Sequence, residues 1–167
     1  GGMAFGRDPG VFSRLVETVR KVTRVPLIIK LSPNVTDAGE FARIAEDLGA
    51  DAVSAVNTFL GMKIDIKSRR PHFQNRVAGL SGPAIRPLAV RIVYEIYERV
   101  RIPIIGLGGI STWEDVLEFL MAGASAVSIG TMNMIDPGFC GRCVDDLHNY
   151  LRDERMEDIS RLVGTAH

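Results

Sequence analysis

Cysteine is scarce in this 167-residue chain: the only two, Cys140 and Cys143, are too few for a disulfide framework. Net charge is absent as well, because 20 basic residues balance 20 acidic ones. That balance gives no broad electrostatic footprint for nucleic acid or an anionic membrane, so any anion must be held by local geometry. Long hydrophobic runs are also missing. The longest uncharged stretch, Phe119 to Ile135, is interrupted by Gly123, Ser125, Ser128, Gly130 and Asn133 and cannot serve as a membrane span. No basic-then-apolar leader opens the chain, which makes the cytoplasm the expected compartment. The start, Gly1-Gly2-Met3-Ala4, reads as a chain entered in mid-sequence.

What is present, 46% hydrophobic and 24% charged residues, describes one compact domain. Asp8 as N-cap and Pro9 at the first position open a helix carrying Val11, Phe12, Leu15, Val16 and Val19, which should end near Val22. The apolar run from Val25 to Leu31 reads as a buried strand. Thr36 or Asp37 caps the next helix, with Phe41, Ile44, Ala45 and Leu48 on its buried stripe, and a second strand spans Ala52 to Val56. From Thr58 to Leu80 the periodicity fails. Lys67, Arg69 and Arg70 make this a polar excursion with a solvated face, of a length that is usually functional or mobile. Ser81-Gly82-Pro83 then starts a helix with Ile85, Leu88, Ala89, Ile92, Val93 and Ile96 inward. A strand follows at 102–105, then a helix with a Ser111/Glu114 capping box and a strand from Ala126 to Ile129. The remainder reads as helical, with Gly164 as a C-cap.

An internal echo organises these elements. Arg24-Val25-Pro26-Leu27-Ile28 resembles Arg101-Ile102-Pro103-Ile104-Ile105, and Gly49-Ala50-Asp51-Ala52-Val53-Ser54 resembles Gly123-Ala124-Ser125-Ala126-Val127-Ser128. A two-unit module therefore occurs twice. Buried strands joined by helical crossovers are parallel, and the Gly-Ala lead-ins favour a (β/α) barrel over an open sheet.

Such barrels carry their sites at the strand C-termini. Those ends hold Lys30, Asn57-Thr58, Gly106-Leu107-Gly108-Gly109 and Gly130-Thr131. Either glycine pair alone is an ordinary turn. At equivalent places in consecutive units, Gly108-Gly109 and Gly130-Thr131 form a phosphate cradle, with backbone N–H groups and a helix N-terminus facing the anion. Lys30 ends an apolar run and reads as a ligand-facing cation in the same mouth, against the alternative of a side chain snorkelling to solvent. Asn57 and Thr58 fit two roles equally, capping the loop they begin or facing a ligand. Cys140-Gly-Arg-Cys143 lacks the second pair that structural zinc wants, and His72, His148 and His167 show no metal spacing, so no metal site is expected.

Five segments carry a family likeness: Pro26-Leu-Ile-Ile-Lys30-Leu-Ser-Pro-Asn34, the block from Asn57 to Ile66, Gly79-Leu-Ser-Gly-Pro-Ala-Ile85, Ile102 to Ile110, and Gly123 to Thr131. Together they resemble the C-terminal half of dihydroorotate dehydrogenase, and the likeness covers essentially the whole chain, 1–167. It implies an α/β fold of the (β/α)8 TIM-barrel family, represented by about the last four β/α units. It further implies FMN, with its phosphate on Gly108, Gly109, Gly130 and Thr131, Gly82 and the Val56 backbone near the cofactor, and Lys30 beside the flavin ring. Asn57 and Thr58 match residues that bind dihydroorotate or orotate.

The Asn-Thr-x-x-Gly-Met-x-Ile-Asp block resembles the NAD-linked class, whose FMN subunit works with an electron-transfer subunit carrying FAD and an iron–sulfur cluster, as a homodimer within a heterotetramer. The implied activity is oxidation of dihydroorotate to orotate in pyrimidine biosynthesis. The family's proton-abstracting cysteine and its loop belong to the first half of the barrel, so no catalytic base is assigned, and Cys140 and Cys143 do not match it. The expectation is a chain inactive by itself, with two open strand edges and an exposed apolar inner face. Two competing readings are another phosphate-binding barrel enzyme and a non-catalytic fragment.

Overall fold

A computed structural model describes residues 5–167, so the Gly1-Gly2-Met3-Ala4 start lies outside the described residues. In chain order the elements are α1 (Pro9–Val22), β1 (Ile28–Lys30), α2 (Ala38–Asp47), β2 (Ala52–Ala55), β3 (Phe59–Gly61), β4 (Ile64–Asp65), β5 (Arg70–Pro71) and β6 (Ala78–Leu80). A 3-10 turn (Pro83–Ile85) leads into α3 (Arg86–Tyr97), β7 (Ile104–Leu107), α4 (Trp113–Met121), β8 (Ala126–Ser128), α5 (Thr131–Ile135) and α6 (Phe139–Asp153). A last 3-10 turn spans Ile159–Leu162. Four strands form one parallel sheet in the order β1-β2-β7-β8. With helices packed on one face, this is half of a (β/α)8 barrel.

The strands begin later than the hydrophobic runs suggest. Pro26 and Pro103 have no N–H to give a ladder, so pairing starts beyond them: β1 is confined to Ile28–Lys30 and β7 shifts to Ile104–Leu107. The sequence echo is a structural one. Ile28 pairs with Ala52 in the first module as Ile105 pairs with Ala126 in the second. Asp51 N donates to Leu27 O at 2.9 Å, and Ser125 N donates to Ile104 O at 2.8 Å. Gly49 and Gly123 both end their helices at positive φ, 83° and 111°.

Strand parity divides the sheet. Val53, Ala55 and Ile104 face the helices and are sealed against Phe41, Ala45, Ile92, Ile96, Phe119 and Leu120. Ile28, Lys30, Ser54, Ile105, Leu107, Ala126 and Ser128 share the other, concave face and are exposed or half-buried. Apolar side chains predominate on that face, with Lys30, Ser54 and Ser128 interspersed among them. The expectation of a fully buried first strand also fails: Ile28 is 50% exposed, because β1 is an edge of this sheet.

Other local expectations need correction. The 58–80 excursion is an ordered β-ribbon, with β3 antiparallel to β6 and β4 antiparallel to β5. Helix α3 begins at Arg86 after the 3-10 turn, and Leu88 points outward at 44% exposure. The α4 capping box is Thr112 with Asp115, one residue beyond the expected pair, because the Asp115 carboxylate reaches the amides of both Ser111 and Thr112. Of the two candidate caps for α2, Asp37 serves, accepting from Gly39 N and Glu40 N. The tail is two helices and a 3-10 turn, after which Gly164 adopts φ 74°. Among the described residues, no helix is long and apolar enough to cross a membrane.

Candidate functional site

Parallel strands deliver all their C-terminal ends to one rim, and there the chain forms a cleft of about 280 Å³. Lys30 comes from the end of β1. Val56, Asn57 and Thr58 follow β2. Leu107, Gly108, Gly109 and Ile110 come from β7 and its loop, and Ser128, Gly130 and Thr131 from β8 and its loop. Gly82 arrives from the far foot of the ribbon. All nine residues singled out from the sequence thus line one cavity. Ser81, Ile85, Leu107, Ile110, Ser128 and Met134 line it too and were not singled out. Strand parity could have found Leu107 and Ser128, which face inward with Lys30. Ser81 lies inside the Gly79–Ile85 motif, whereas Met134 carries no sequence signal.

The Gly108-Gly109 turn exists because no other residue fits it. Gly108 has φ 135°, and a Cβ would sit 2.8 Å from the Ala89 Cβ. Gly109 has φ 80°, and its Cβ would lie 2.8 Å from both Arg86 N and Gly82 O. Gly130 is different: a Cβ there meets nothing within 4 Å, so the protein leaves space beside it. Among the described residues, the amides of Gly108, Gly109, Gly130 and Thr131 have no protein acceptor. At the equivalent place in the first module, Leu31 N donates to Ser54 O at 2.8 Å, continuing the ladder that Gly108 abandons. The free donors of Gly108 and Gly109 lie in the loop after β7 rather than at the α4 terminus, whose first turn is capped by Thr112 and Asp115, whereas Gly130 and Thr131 are the N-cap and first residue of α5.

The loop is braced from below. Asp115, 4% exposed, accepts from Ser111 N at 2.8 Å, Ser111 Oγ at 3.0 Å and Thr112 N at 3.0 Å, and pairs with Arg86. Arg86 also reaches Glu118 at 3.2 Å, which commits its charge to carboxylates. Among the described residues Lys30 is therefore the only charged side chain in the cleft lining, and no carboxylate lies within ion-pair distance of it. Thr131 Oγ1 and Ser81 Oγ are hydrogen-bonded at 3.1 Å across the cleft. On the β2 side, Asn57 Oδ1 accepts from Thr58 N at 2.8 Å, which leaves its carboxamide nitrogen without a protein acceptor among the described residues. The arrangement offers backbone donors at one end and a cation with amide and hydroxyl groups at the other.

The cysteines stand apart on α6. Cys140 Sγ donates to Asn133 Oδ1 at 3.3 Å, and burial pushes the Cys143 thiol up from its ordinary pKa, which keeps it protonated and inert. His72 lies in the ribbon, His148 on the exposed side of α6, and His167 is stacked on Tyr94.

A family profile described as dihydroorotate dehydrogenase matches residues 1–151. The chain belongs to the dihydroorotate dehydrogenase family. It is 49% identical to the dihydroorotate dehydrogenase B (NAD(+)) catalytic subunit of Carboxydothermus hydrogenoformans, over the whole chain and 54% of that relative. Identity to the protein of the same name from Desulforudis audaxviator is 50%, again over the whole chain and 54% of the relative. A putative dihydroorotate dehydrogenase A (fumarate) from Aquifex aeolicus is 46% identical over 55% of its length. The chain spans about half the length of the curated relatives it matches. Membership in this family accounts for the half barrel.

Proposed function

We propose that this chain is the later half of a dihydroorotate dehydrogenase barrel, that its cleft holds FMN, and that it serves the oxidation of dihydroorotate to orotate. One observation carries the reading: four unbonded backbone amides, two of them in a turn that only glycine fits, converge on a cleft whose single charge is Lys30. Gly108, Gly109, Gly130 and Thr131 would hold the phosphate through N–H groups. Gly82 and the Val56 backbone would lie along the cofactor, with Lys30 at its far end. When bound, FMN supplies a two-electron acceptor.

The chain's own groups then divide the work. The Lys30 ammonium places positive charge where negative charge develops, in a site it shares with no carboxylate. The Asn57 carboxamide and the Thr58 hydroxyl can pair with the edge of a polar heterocycle such as orotate. Proton removal from carbon is unprovided for: no Cys, His, Asp or Glu lines the cleft among the described residues. We therefore read the chain by itself as competent to bind and incompetent to turn over. The NAD-linked class is the reading favoured by the Asn57–Asp65 block and by the names of two relatives. In that class electrons leave through a partner subunit with FAD and an iron–sulfur cluster, and the FMN subunit is a homodimer within a heterotetramer.

The test is an anaerobic titration of the purified chain with FMN, removal of free flavin, and addition of dihydroorotate. Retained flavin that stays oxidised is the expected outcome. Retained flavin that bleaches overturns the claim of incompetence, and absence of retained flavin overturns the cradle.

A further inference from the structure

Asn34, four residues beyond Lys30, joins two parts of the rim that the chain keeps far apart. Its Nδ2 donates to Thr58 O and its Oδ1 accepts from Leu60 N, both at 2.9 Å, across 24 and 26 residues of sequence. Its own amide donates to Ser32 Oγ at 3.2 Å, within the loop that follows Lys30 at the end of β1. One carboxamide thus supplies a donor and an acceptor on two separate atoms, where a carboxylate has no donor and a hydroxyl has only one oxygen for both. From the other side Thr58 rests on the ribbon: a Cβ at Gly79 would lie 2.5 Å from Thr58 Oγ1. Thr58 is held between Asn34 and β6, at the foot of the ribbon and on the wall of the cleft.

We propose that Asn34 is a positioning residue, whose carboxamide sets where the Asn57-Thr58 pair stands relative to Lys30 and so sets the affinity of the cleft for a polar heterocycle. This rests on the reading of Asn57 and Thr58 as ligand-facing groups. Asn34 itself does not line the cleft, so its effect is exerted through Thr58.

The experiment compares wild type, Asn34→Ala and Asn34→Asp in the 167-residue chain. Hydrogen exchange at the Leu60 amide and tryptic cleavage within the ribbon are followed first, without ligand. FMN and orotate are then titrated separately, orotate through its effect on the flavin spectrum. Asn34→Ala is expected to speed exchange at Leu60 and cleavage in the ribbon, leave β2 and β7 protected, hold FMN within twofold of wild type and weaken orotate about tenfold. Asn34→Asp, which keeps the acceptor but loses the donor, is expected to keep Leu60 protected and still weaken orotate. Unchanged exchange in Asn34→Ala overturns the proposal, as does equal loss of FMN and orotate with lost protection in β2 and β7. A wild-type chain that holds FMN and takes no orotate overturns the reading of Asn57 and Thr58 and the affinity part of the proposal. Exchange at Leu60 then still decides whether Asn34 sets the ribbon.

Discussion

At the scale of single residues, the rim separates glycines whose neighbours leave no room for a side chain from one, Gly130, with open space beside it. Gly109→Ala forces a side chain onto φ 80° and into backbone 2.8 Å away, so it should cost about 1–3 kcal/mol in urea unfolding and abolish flavin retention together. Gly130→Ala meets no protein atom within 4 Å; its stability should stay within about 0.5 kcal/mol of wild type while FMN binding weakens, because the new methyl occupies ligand space. A Gly130→Ala variant that binds FMN as wild type does would remove Gly130 from the cradle. Asp115 is the second residue whose loss should be felt widely. Asp115→Ala leaves Arg86 without its buried partner and strips acceptors from Ser111 and Thr112. With Arg86 a third exposed, destabilisation of about 2–4 kcal/mol is expected in urea unfolding, with flavin released at lower denaturant than the global transition.

At the scale of elements, helix α2 links pH to stability through its cap. The Arg99 guanidinium bonded to Asp37, helped by the amides of Glu40 and Gly39, holds that carboxyl below its ordinary pKa. A group whose pKa is lowered on folding contributes stability that is fully present above its unfolded value near 3.8 and is lost as pH falls through the folded value. Thermal melts should therefore fall below about pH 4, less steeply in Asp37→Asn, and Asp37→Ala should cost about 1 kcal/mol at neutral pH. An Asp37→Asn variant with the wild-type acid profile would sever that link.

Elements also show what the sequence could and could not disclose. Helix α1 begins and ends where Asp8, Pro9 and Val22 indicate, because capping is a local matter of one side chain and its own amides. The four sheet strands announce themselves by apolar runs, yet β1 and β7 pair only from Ile28 and Ile104 onward, with Pro103 contributing just its carbonyl, which accepts from Val53 N at 3.0 Å. The ribbon was illegible. Its strands are two or three residues long, nowhere more than half-buried, and held by pairing partners up to 21 positions away, so no periodic signal forms. That the rim glycines and Lys30 line one cleft could be read because parallel strands deliver their C-terminal ends to one rim. Asn34 could not be given a role, since its hydrogen bonds are to backbone that local sequence does not bring near.

At the scale of the molecule, the sheet ends on both sides at unpaired strands. Ile28 on β1 is half exposed, Ala126 and Ser128 on β8 are open, and Met134 and Ile135 stand 88% and 70% exposed beyond it. Strand edges of this kind recruit other strands. The 167-residue chain in isolation should associate as its concentration rises, in light scattering or sedimentation. Lys substituted at Ile28 should reduce that association without unfolding the core, and a strictly monomeric wild-type chain would show that the edges are inert.

The doubled module also dictates which way round a long molecule can lie. Two crevices, one at the end of each strand pair, descend from the same pattern, but in the first the Leu31 backbone closes the gap and its side chain is sealed at 1% exposure. Only the second, at Gly108, stays open to an anion. In the reading proposed for this cleft, a ligand with one charged end would lay that end against β7 and β8 and its other end across β1 and β2. On that reading the polarity of binding would follow from a broken symmetry of the backbone, before any side chain chooses between substrates.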